Sequence, residues 1–162
     1  MDIARSQLSM SRVVDAPREL VYRAFTDPAQ FAAWWGPIGN SVLRDETDFD
    51  IRPGGHQRWT EVRDADPDFR VYIRIELTDV ADGRLLEGVL HARGDFPDDI
   101  EPFNSALRIE FHDEPGRRTR LEIRQSLPEQ ACGPSEQGWR EVFTKLDAAL
   151  TSNAADQRDS QT

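Results

Sequence analysis

Gln57, Trp59 and Glu61 stand two residues apart, the spacing that puts side chains on one face of a β-strand. If Trp59 points into a core, Gln57 and Glu61 enter the same apolar space. A carboxylate there is costly unless it is paired or hydrogen-bonded, and otherwise it raises its pKa and becomes neutral. Such a group suits two tasks, orienting a polar end of a ligand or transferring a proton. Arg74 or another strand arginine could neutralise it instead, and a strand shifted by one residue would put Glu61 in water. Glu61 is the one candidate for acid–base chemistry, and no other catalytic residue is expected.

The remaining reactive residues offer less. His56, His91 and His112 lack metal-ligand spacing, and none has a second histidine or cysteine close in sequence. His112 starts a hairpin turn and is expected to be exposed, whereas His56 follows a double glycine at the surface or near a cavity mouth. Neither a metal nor another cofactor is expected. Cys132 is the single cysteine, in the loop before a helix, so no internal disulfide forms. There is no Gly-x-Ser-x-Gly elbow and no phosphate-cradling glycine loop. Asp95, Asp98, Asp99 and Glu101 fall in a Pro-containing loop without calcium-loop spacing and read as a solvated rim. The aromatic residues Trp34, Trp35, Phe49, Trp59, Phe103, Trp139 and Phe143 are either core or the walls of a cavity for an apolar ligand.

These residues need elements to position them. Trp139, Val142, Phe143, Leu146 and Leu150 follow spacings that place all five on one face of a helix over residues 133–150, starting near Ser135. Leu8 to Val14 alternates as a first strand. Two short helices follow, carrying Leu20, Val21, Ala24 and Phe25, then Phe31, Trp34 and Trp35, with Asp27-Pro28 between them. Six further strands are expected at Val42 to Ile51, His56 to Arg63, Phe69 to Val80, Leu85 to Ala92, Ser105 to His112 and Thr119 to Leu127. Turn residues such as Pro53-Gly54-Gly55, Asp66-Pro67 and Asp82-Gly83 separate them. The reading is α+β: an antiparallel meander with one apolar face, covered by the long helix. Residues 1–7 form a lead-in, 8–150 one domain, and 151–162 a polar, disordered tail.

Bulk properties narrow the function classes. The chain has 162 residues, 38% of them apolar, enough for one domain with a real core. A formal charge of −10 argues against nucleic acid and against anionic membrane. No run is long enough to span a membrane and the start has no secretory apolar region, so a cytoplasmic setting is expected. All but one of the 20 basic residues are arginine, Lys145 being the exception.

Five motifs in order carry a resemblance: Ala16-Pro17-Arg18-Glu19-Leu20-Val21, Asp27-Pro28, Trp34-Trp35-Gly36-Pro37, Arg52-Pro53-Gly54-Gly55 and Gly138-Trp139. Over residues 8–150 the chain resembles the single-domain bacterial homologues of the activator of the 90-kDa heat-shock-protein ATPase. These belong to the START-like superfamily, with the polyketide cyclases and the birch-pollen-allergen type. The resemblance implies a helix-grip fold: a curved sheet of six to seven strands around a C-terminal helix, with a cavity between. Two positions depart from the pattern. Ala81-Asp82-Gly83 stands where relatives carry Pro-Pro-Glu, which leaves the register of the preceding strand open, and Gln57 and Glu61 replace apolar residues.

The expected function is binding of an apolar or aromatic small molecule, without catalysis. Trp35, Phe49, Trp59, Trp139, Val142 and Phe143 would supply contact area, with Gln57 and Glu61 fixing orientation. The rivals are a cyclase- or dehydratase-like enzyme acting through Glu61 on a polyketide-type substrate, and a chaperone cofactor that stimulates an ATPase. A homodimer with a filled core stays open beside them.

Overall fold

The computed structural model describes residues 5–95 and 103–159. Eight antiparallel strands build one curled sheet: β1 (Arg5–Val14), β2 (Asn40–Val42), β3 (Asp48–Asp50), β4 (His56–Arg63), β5 (Asp66–Ala81), β6 (Leu85–Gly94), β7 (Phe103–Glu114) and β8 (Arg118–Pro128). Their order is β1-β8-β7-β6-β5-β4-β2, with β3 also on β4. Helices α1 (Arg18–Thr26) and α2 (Pro28–Trp34) follow β1, and α3 (Glu129–Asp159) ends the chain. No described helix is long and apolar enough to cross a membrane.

Local chemistry explains the joints. Asp27 closes α1 with its backbone N–H on the Arg23 carbonyl, and its side chain caps α2 by accepting from Ala29 and Gln30 N–H. Pro28 sits at the first position of α2, where its missing N–H costs nothing. Alternation along each strand separates two faces. Leu121 and Ile123 on β8, Ile109 and Phe111 on β7, and Ile75 and Leu77 on β5 are buried on the inner face. Helix α3 lays Trp139, Val142, Phe143, Leu146 and Leu150 against it, all buried.

The boundaries differ from expectation in five places. The stretch from Val42 to Ile51 is not one strand, because a 3₁₀ turn at Arg44–Glu46 splits it into β2 and β3. Helix α3 starts at Glu129, so Cys132 is helical rather than in a loop, and Pro134 lies inside the helix. The same helix continues through Thr151 to Asp159, where a disordered tail was expected, while residues 160–162 lie outside the described part. Residues 5–7 belong to β1 rather than to a lead-in. Asp66-Pro67, expected as a breaker, opens β5 instead. Beyond Asp95, the expected acidic rim falls outside the described residues.

The open register before Leu85 is resolved by an irregularity between Leu77 and Asp79, next to Gly88 on β6. A Cβ on Gly88 would lie 2.2 Å from the Glu76 carbonyl oxygen. Gly88→Ala should therefore push β5 and β6 apart and lower stability by about 1–3 kcal/mol, read from urea unfolding. An unchanged midpoint would mean that the two strands do not approach this closely.

Candidate functional site

Strand β4 presents Gln57, Trp59 and Glu61 to the interior, paired with Ile75, Ile73 and Val71 of β5. All three are buried, Glu61 at 7% exposure. Glu61 Oε1 accepts the indole N–H of Trp59 and the indole N–H of Trp35, each at 3.0 Å. Oε2 has no hydrogen-bond donor among the described residues. Burial pushes the Glu61 carboxyl above its ordinary pKa, opposed by the Trp59 and Trp35 N–H groups and by the charge of Lys145. Arg74 is not its partner: it lies on the outer face, 3.9 Å from Glu76.

Trp35 joins three elements. It ends α2, its backbone N–H bonded to the Phe31 carbonyl, and its ring stacks on Phe31 at 4.8 Å. It meets Trp59 edge-on at 5.7 Å and Trp139 of α3 at 5.3 Å. Lys145 on α3 donates to the carbonyls of Trp35 and Asn40, both at 3.2 Å, which fixes the chain leaving α2 against the helix. Partial burial holds the Lys145 ammonium below its usual pKa, opposed by the charges of Asp64 and Glu61.

The other expected residues occupy different roles. Gln57 donates its side-chain N–H to the Phe25 carbonyl at 2.9 Å, so it ties β4 to α1. Trp139 donates its indole N–H to Gln125 Oε1 at 3.0 Å, and its ring lies 5.7 Å from Phe143. Val142 and Phe143 are buried in the core, whereas Phe49 is half-buried against Phe31 and Trp59. A void of about 10 Å³ lies beside Gln57, Ile75 and Leu107, the lower limit of space for one water. A groove of about 830 Å³ lies on the outer face, crossed by Arg58, Tyr72, Arg74, His91 and Arg93. Sequence reasoning did not single out Phe31 or Lys145 for the site. Lys145 carried one signal, its isolation among arginines.

Comparison with known proteins agrees with this architecture. Residues 15–151 match the family model described as Activator of Hsp90 ATPase homolog 1-like protein. No curated protein matches. Among solved structures, a protein of Chromobacterium violaceum is 25% identical at a TM-score of 0.73, covering 89% of this chain and 96% of its own. The AHSA1 protein of Silicibacter pomeroyi is 21% identical at 0.75, covering 91% and 99%. A protein of Mycobacterium smegmatis is 20% identical at 0.72, covering 94% and 98%.

Proposed function

The chain belongs to the Activator of Hsp90 ATPase homolog 1-like family, and from that premise we propose that it binds an apolar or aromatic small molecule between the sheet and α3. The observation that carries this reading is the Glu61 carboxyl. One oxygen is held by two indoles, and the other has no donor among the described residues. The inner void beside β4 has room for one water at most, so a ligand with an aromatic body and one hydroxyl or N–H would have to part the Trp35–Trp139 contact, meeting the two rings with the first and Glu61 Oε2 with the second. Gln57 gives one side-chain N–H to the Phe25 carbonyl, which leaves the second N–H of its amide for ligand orientation. The cytoplasmic setting expected from composition belongs to the same proposal.

A series of naphthols tests it. Binding of 2-naphthol should quench tryptophan emission and raise the melting temperature, as any ligand of the native state must. Its methyl ether should bind several-fold more weakly, and Glu61→Gln should shrink that difference. A series that moves neither emission nor melting temperature would overturn the reading and favour a filled scaffold.

One observation favours a second reading. Burial favours the protonated form of Glu61, which is the state a general acid needs. A cyclase- or dehydratase-type reaction would then use the same carboxyl, and turnover of a polyketide-type substrate lost in Glu61→Gln would be its mark.

A further inference from the structure

Glu110, His112 and Glu122 form a cluster on the outer face of β7 and β8, away from the inner face that carries Glu61. Glu110 lies directly opposite Glu122 across the two strands. His112 Nε2 is 3.3 Å from Glu110 Oε1 and 3.6 Å from Glu122 Oε2, and the three atoms all lie within 4.8 Å of one another. Nε2 is sealed from solvent yet makes no hydrogen bond.

The other carboxylate oxygens are already engaged. Arg108 Nε donates to Glu110 Oε2 at 3.3 Å, and Arg120 Nε donates to Glu122 Oε1 at 3.1 Å. Each arginine thus fixes a carboxylate with its second oxygen turned toward the imidazole, as outer partners do for metal ligands. Arg108 also pairs with Glu87, and Arg120 with Glu114. In this network four carboxylates face two guanidinium groups, leaving two negative charges when His112 is neutral. Like charges directly opposite each other destabilise a strand pair unless something compensates them.

We propose that Glu110, His112 and Glu122 bind a divalent cation of the zinc type. Donors about 2.0–2.2 Å from a tetrahedral zinc lie roughly 3.3–3.6 Å apart, and both distances from Nε2 meet this. One imidazole and two carboxylates leave a fourth position for water, the arrangement of an open site. The imidazole argues against magnesium or calcium, which prefer oxygen. This departs from the expectation of no metal, which rested on spacing along the chain. Ligands on paired strands leave no such spacing.

The test is titration of the chelator-treated full chain with zinc chloride by calorimetry, repeated with cobalt(II) by visible absorption. The expected result is one saturable site per chain and a raised melting temperature. His112→Gln and Glu122→Gln should each weaken binding at least tenfold, whereas Cys132→Ser and Glu61→Gln should leave it unchanged. No saturable binding would overturn the proposal. Binding that survives both cluster variants, or that is lost with Cys132→Ser, would overturn it as well.

Discussion

Trp59→Ala should lower the stability of the protein by about 3–5 kcal/mol, read as a fall in the urea midpoint at unchanged slope. The ring is 2% exposed and packs on Phe31 at 4.8 Å, Trp35 at 5.7 Å and Phe49 at 6.4 Å. Truncation therefore opens a cavity where sheet and α2 meet. It also removes one of the two N–H groups on Glu61. Trp59→Phe separates these effects, since it keeps an aromatic ring and loses the donor, and it should cost less. A loss below about 1 kcal/mol for the alanine variant would fall outside the range for a buried tryptophan and contradict this packing.

Glu61→Gln should make the protein more stable at neutral pH and remove a pH dependence that the wild type has. Burial raises the native pKa of Glu61 above its unfolded value. Between the two values the native state keeps a proton that the unfolded state has released, so wild-type stability falls as pH rises through that window. Below the unfolded value, near 4.3, the neutral carboxyl and the neutral amide should be nearly equivalent. Above the native value the advantage of the variant levels off, at about 1.4 kcal/mol for each pH unit between the two pKa values. The glutamine carbonyl oxygen can still accept from both indoles. Stability curves that run parallel from acid to neutral pH would show that Glu61 is not desolvated.

The residues that announce themselves by periodicity were legible in the sequence. Trp139, Val142, Phe143, Leu146 and Leu150 are buried on α3 as their spacing predicts, and Trp59 and Glu61 share the inner face of β4. What periodicity cannot carry is the identity of a hydrogen-bond partner. The sequence offered an arginine for Glu61, because opposite charges are the simplest solution, yet the donors are two indoles from β4 and the end of α2. Gln57 looked like a ligand group for the same reason that Glu61 did, and its carbonyl partner belongs to Phe25, 32 residues away. The start of α3 was expected near Ser135, after Gly133 and Pro134, whereas the chain passes from β8 straight into the helix and carries the proline within it. The Glu110–His112–Glu122 cluster depends on strand pairing, which residue spacing alone does not reveal.

Glu61 is a buried carboxyl, and in the proposed function it meets the polar end of a ligand. The most direct test of this role is a carbon-13 NMR titration of the Glu61 carboxyl, assigned by its loss in Glu61→Gln, without and with saturating 2-naphthol. The midpoint should lie above the ordinary carboxylate range in the free protein and be displaced when the naphthol is bound. A midpoint near 4.3 that does not respond to the naphthol would contradict that role.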